Sequence, residues 1–171
     1  DRSQSFYRSL LGWDYTPSVP ELGGYCNAHV DGEVVAGLSP VMDPASLPPG
    51  VDNSLDGIWT IHLAADDIDA VSARVDEAGG TTVLPRMDVS SFGSMSLHHD
   101  PQGNVFGLWQ SGEHTGFDTR TADGAPCWID LMTSDYPAAK DFYAALFGYQ
   151  YQEVGFDGIQ YSIVTVDGDE T

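Results

Sequence analysis

Between residues 59 and 64 the chain alternates, with Trp59, Ile61 and Leu63 on one face and Thr60, His62 and Ala64 on the other. That pattern predicts a half-buried strand. Ile68, Val71, Val75 and Ala78 then recur at helical spacing behind an N-cap pair, Asp66-Asp67, and Gly79-Gly80 supplies a left-handed stop. Residues 81–84, edged or ended by Pro85, and residues 94–99 and 105–110 read as three further strands. The last two are joined by the tight turn Asp100-Pro101-Gln102-Gly103. The stretch therefore predicts a βαβββ module.

The pattern recurs on both sides. Phe6-Tyr7, Leu10, Gly12 and Tyr15 return 136 positions later as Phe142-Tyr143, Leu146, Gly148 and Tyr151, and Tyr25 and Val30-Asp31-Gly32 return as Tyr161 and Val166-Asp167-Gly168. Ile61-His62-Leu63 aligns with Ile129-Asp130-Leu131 at an offset of 68. Repeats of this length are supersecondary units that pair to bury their faces. The first repeat enters at a helix over residues 2–11, with Phe6, Tyr7, Leu10 and Leu11 on one face. Strands follow at about 13–15, 24–29 and 34–39, with Asp31-Gly32 as a hairpin turn. Its opening strand is missing. The third repeat begins at Trp128, forms a helix over about 137–147, and stops before its closing strand. Pro-rich residues 40–57 and residues 111–126 read as linkers. The expected class is α+β: curved mixed sheets paired around a cleft with helices outside. One domain is expected over 1–117 (repeats at 1–50 and 58–110), with an incomplete second at 127–171.

Composition narrows the partners. Of 171 residues, 42% are hydrophobic, enough for a core, and 26 acidic residues against 6 basic give a net charge of −20. Such a surface repels phosphate backbones and anionic lipids, so nucleic-acid and membrane partners are not expected. No apolar run has the ~18 residues needed to span a bilayer, and no signal-peptide pattern opens the chain. Cys26 and Cys127 lack metal-type spacing and read as reduced thiols of a cytoplasmic protein.

The twin helices Phe142-Tyr143-Ala144-Ala145-Leu146-Phe147-Gly148 and Phe6-Tyr7-Arg8-Ser9-Leu10-Leu11-Gly12, with the Asp100-Pro101-Gln102-Gly103-Asn104 turn, resemble the vicinal-oxygen-chelate superfamily. This group includes glyoxalase I, bleomycin-resistance proteins and extradiol dioxygenases. The likeness spans the chain and is greatest to the two-domain, glyoxalase-like branch, where four βαβββ units make two domains. The fold hosts lyases, isomerases, dioxygenases and plain binding proteins, so the reaction does not follow from it.

In metal-dependent members, His or Glu ligands on the first and last strands of paired units hold a divalent ion that polarises vicinal oxygens. The resemblance places His62 at such a first-strand position, with Asp130 as its counterpart in the third repeat. The last-strand Glu of metal-binding relatives follows the Asp-Pro turn by seven residues, and here that position is Gly107. Its equivalent in the first repeat is Gly37, at an offset of 70. Neither can coordinate through a side chain, so the usual ligand set is broken and no cofactor is expected, a divalent metal remaining the family alternative.

His62 is then a leftover ligand, a proton shuttle or polar anchor, or else a half-buried histidine bonded to backbone. The two glycines open the cleft and let a flat ligand approach the backbone. Alternation puts Val105 and Trp109 on the face of Gly107, and Val35 and Ser39 on that of Gly37. Trp109 and Trp128 suit an aromatic ligand by stacking, or serve as packing between domains. His98 and His99 point to opposite faces and cannot chelate together. No Gly-x-Ser-x-Gly elbow or phosphate-cradling loop is present in the sequence.

The expected function is a small-molecule-binding cleft with a degenerate metal site. The alternatives are a glyoxalase-type lyase, isomerase or dioxygenase using His62 as base with Asp130 as partner, or a non-catalytic dimerisation module. A homodimer or strand exchange would supply the missing strands.

Overall fold

The computed structural model describes residues 2–41, 57–166 and 169–170. Most of the expected 40–57 linker and the Asp167-Gly168 turn lie outside them. The fold is α+β. It forms two compact bodies, one of residues 1–58 with 112–131, the other of residues 59–111 with 132–171. Grouping by contact therefore differs from grouping by sequence order.

In the first body, α1 (Arg2–Leu11) ends at Gly12, whose φ of 73° is the left-handed stop the sequence required. Three antiparallel strands follow in the order β1-β2-β3: β1 (Asp14–Tyr15), β2 (Cys26–Val30) and β3 (Glu33–Leu38). Asp31 and Gly32 turn the β2–β3 hairpin with φ of 51° and 88°. The core holds Trp13, Ala28, Val30, Val35 and Ala36. Val35 and Ala36 are both buried because the register shifts between Ala28 and His29. That bulge overrides the alternation that had put Val35 with Gly37. Residues 112–131 fold back onto this body. Asp118 exchanges hydrogen bonds with Val34, and the Trp13 indole donates to Gly124 O at 2.9 Å.

The expected apolar face of α1 is only half used. Tyr7 stacks on Trp13 and packs with Leu11 against the core, but Phe6 and Leu10 are 57% and 63% exposed.

The second body contains the predicted module: β4 (His62–Ala64), α2 (Ile68–Glu77), β5 (Thr81–Val89), β6 (Gly93–His99) and β7 (Val105–Ser111). The sheet order is β4-β7-β6-β5, with β4 parallel to β7. Asp67 caps α2 by accepting from Ala70 N at 3.0 Å. Strand β5 continues through Pro85, which a sheet edge with register irregularities tolerates. Gly79 is left-handed, whereas Gly80 answers a space requirement: a Cβ there would lie 2.7 Å from both His99 O and Val75 Cγ1.

α3 (Tyr136–Phe147), capped by Asp135 and stopped at Gly148, buries Phe142, Tyr143 and Leu146 against α2 and the sheet. Arg74 of α2 donates to Leu146 O at 3.0 Å. Strands β8 (Gln150–Glu153), β9 (Ser162–Val166) and β10 (Asp169–Glu170) follow in the order β10-β9-β8. Lys140 ties α3 to β8 through Glu153, beneath the rings of Tyr136 and Tyr151. Residues 128–131 are not a strand. They have no ladder partner among the described residues, and a lone extended segment gains nothing from sheet geometry. No helix among the described residues is long and apolar enough to cross a membrane.

Candidate functional site

The β4-β7-β6-β5 sheet has two chemically distinct faces. Leu63, Phe106 and Leu108 point to the helices, in a core with Ile68, Val71, Val75, Phe142, Tyr143 and Leu146. His98 and Ser96 lie on the same face and are fully buried. The His98 ring meets three hydroxyls, Ser96 Oγ at 2.7 Å, Thr82 Oγ1 at 3.3 Å and Ser72 Oγ at 3.4 Å, and lies 5.5 Å from the Phe106 ring. Burial pushes its pKa down to about 4, against a small opposing pull from Asp76. His98 is a neutral structural histidine. His99 points to the other face, as alternation required.

The Asp-Pro turn is structural too. Asp100 is 3% exposed and accepts from Gln102 N, Asn104 N and Asn104 Nδ2 at 2.8–3.0 Å, and from the Tyr143 hydroxyl at 3.3 Å. It pins the β6–β7 turn to α3. Desolvation and the Asp100 carboxylate raise the Tyr143 phenol far above its ordinary pKa.

The opposite face bears no helix of the βαβββ module. Register places His62 opposite Gly107, Ala64 opposite Trp109, Trp109 opposite Met95, and Met95 opposite Met87. Leu97 and Val105 share this face with His62 and His99, and register adds Thr81 opposite His99 and Ser111 opposite Gly93. Of the sequence-predicted residues, His62, Gly107 and Trp109 thus meet on one face.

Contact between His62 and Gly107 is intimate. A Cβ on Gly107 would lie 2.5 Å from His62 Nε2 and 2.8 Å from its Cγ, so the imidazole lies across the glycine. Surrounding atoms lower the pKa of His62, and a hydrogen bond to the Thr60 backbone partly offsets this. The residue remains exposed. The same construction occurs in the first body, where a Cβ on Gly37 would fall within the Tyr25 phenol, 2.8 Å from Cε2. Burial pushes the Tyr25 hydroxyl above its ordinary pKa.

Both glycines thus serve a purpose other than an empty opening: each makes room for a ring of the protein itself. Sequence reasoning missed Tyr25, because its approach to Gly37 depends on the β2–β3 register. It also missed the two methionines, which carry no motif.

Trp128 and Asp130 lie in the other body, both exposed, with the indole donating to Asp130 Oδ1 at 2.9 Å. Cys26 and Cys127 are unpaired, and Cys26 accepts from the Gln4 amide at 3.3 Å. Among the described residues no three His, Cys, Asp or Glu side chains converge on a point that would hold a metal ion. With glycine at both last-strand positions, the donor set does not fit the metal of the superfamily.

Comparison with known proteins agrees with the motifs. The chain is 36% identical over 163 residues to the anthracycline biosynthesis protein DnrV of Streptomyces peucetius, covering 92% of this chain and 59% of that protein. It is also 36% identical over 154 residues to the putative glyoxylase CFP32 of Mycobacterium bovis, covering 89% and 57%. The chain therefore spans less than two thirds of these curated relatives. Among solved structures, TnmS3, an antibiotic binding protein from Streptomyces sp. CB03234, is 27% identical over 64% of this chain and 84% of its own, with a TM-score of 0.28. The model of the Glyoxalase/Bleomycin resistance protein/Dioxygenase superfamily matches residues 1–108, and the chain belongs to that superfamily.

Proposed function

We propose that this chain is a small-molecule-binding member of its superfamily, holding a flat aromatic compound on the face that carries His62, Gly107 and Trp109, without the family's metal. The observation that carries this reading is the glycine at the last-strand position. It removes a donor and leaves backbone that a flat ring, in this structure the His62 imidazole, approaches closely, beside an indole and two methionines. Such polarizable surfaces favour aromatic ligands through stacking and S–aromatic contact. The Streptomyces peucetius relative is named for anthracycline biosynthesis, and anthracyclines are built on flat fused rings. A net charge of −20 further selects neutral or cationic ligands over anionic ones.

Calorimetric titration with daunorubicin, a cationic anthracycline, tests the reading. Saturable binding that weakens about tenfold or more in Trp109→Ala is expected, corresponding to loss of a stacking contact worth ~1.4 kcal/mol. Absence of binding, or one tightly held nickel, zinc or iron per chain, would overturn it.

A glyoxalase-type lyase is the second reading. It is favoured by the name of the mycobacterial relative and by an exposed His62 whose lowered pKa leaves it neutral, and so basic, at pH 7. Activity on methylglyoxal plus a thiol that disappears in His62→Ala would support it. Unchanged activity in that variant would remove His62 from the chemistry.

A further inference from the structure

The ring-on-glycine contact is made twice, at positions related by the repeat, with chemically different rings. Imidazole covers Gly107 and phenol covers Gly37. What the two sites share is strand backbone without a side chain and a ring of the protein set against it.

The two rings are held differently. His62 lies across Gly107 along much of its imidazole, from Cδ2 to Cγ, and is tied to the Thr60 backbone by a hydrogen bond. Tyr25 reaches Gly37 with the outer edge of a longer side chain, hydroxyl first. Both residues keep solvent access, His62 exposed and Tyr25 half-buried, so each ring has somewhere to go.

We infer that Gly107 is the floor of a planar-ring seat which the His62 ring occupies in the unliganded protein, and that a flat aromatic ligand binds by taking its place. His62 is then the seat's intramolecular occupant. This rests on the ligand-binding reading above and specifies where and how the ligand lies. A competitor tethered to the site lowers apparent affinity by the fraction of molecules in which it is seated. Removing it therefore strengthens binding, whereas removing a polar anchor weakens binding. The two roles predict opposite signs for one substitution.

The test is daunorubicin titration of the wild-type chain, His62→Ala and Gly107→Ala. His62→Ala is expected to tighten binding about fivefold, as the seat becomes free in every molecule. Gly107→Ala is expected to weaken it tenfold or more, because the Cβ fills the floor. Circular dichroism checks that this variant is folded. If it is not, NMR of the histidine rings in the wild-type protein decides. On saturation with daunorubicin the displaced His62 ring is expected to titrate at higher pH, as it leaves the atoms that lower its pKa.

Weaker binding in His62→Ala would overturn the inference, since it would make His62 an anchor. So would equal affinity in all three proteins, which would leave ligand binding intact but located elsewhere. Failure of every protein to bind would instead refute the ligand-binding reading itself.

Discussion

Both faces of the β4-β7-β6-β5 sheet display histidine, and His98 and His62 have opposite fates. On the helix side, His98 is buried beneath α2 with three hydroxyls around its ring. On the other side, His62 lies over bare backbone at Gly107 and stays exposed. Burial alone does not mark a functional histidine. The ring with the more strongly shifted pKa is the structural one, and the ring beside a glycine, an indole and two methionines is the candidate for binding.

The contrast breaks most sharply at Phe142, whose side chain meets Phe106 edge-on at 6.0 Å in the helix-side core. Phe142→Ala is expected to cost about 3–5 kcal/mol in chemical denaturation, the usual range for a buried phenylalanine. Its twin Phe6, 57% exposed, is expected to lose under ~0.5 kcal/mol when truncated. Equal costs would mean that the described exposure of α1 is not its state in solution.

Next in size is the response of His98 to acid. Its folded pKa of about 4 lies below the ordinary 6.5, so the unfolded chain takes up the proton first as pH falls. Stability is therefore whole above pH 6.5 and declines toward pH 4, by up to ~3 kcal/mol. His98→Asn should lose that slope in urea melts across this range, whereas His62→Ala should largely keep it. A slope that follows His62 would reverse the assignment of the two faces.

Smaller again is Gly107→Ala, expected to destabilise by about 2 kcal/mol through overpacking against the root of the His62 ring. Gly37→Ala should cost less, about 1 kcal/mol or under, because only the outer part of Tyr25 has to move. Thermal melts of the two variants rank them. The reverse order would show the phenol to be the more tightly held ring.

Much of the helix side was legible in the sequence. Period located α2 and α3, and the cap at Asp67 marked where α2 starts; the matching cap of α3 at Asp135 was found only in the structure. The twin Phe-Tyr-x-x-Leu motif marked what α3 buries, yet the same letters in α1 leave Phe6 and Leu10 uncovered. Motif identity reports what a helix can bury; the surface opposite it decides what is buried. The glycines were legible as missing donors, but their filling by Tyr25 and His62 was not, since that depends on strand register and rotamer. The bulge at Ala28/His29 likewise defeated simple alternation at Val35. Trp128 and Asp130 were expected on a strand, but a strand needs a neighbour, and residues 128–131 have no ladder.

The central claim is that the face bearing Gly107 holds a flat ligand without the metal of the superfamily. Daunorubicin titration before and after exhaustive chelator treatment tests it most directly. Identical affinity in the two preparations is the predicted result; binding that vanishes on chelation and returns with a divalent metal would contradict it.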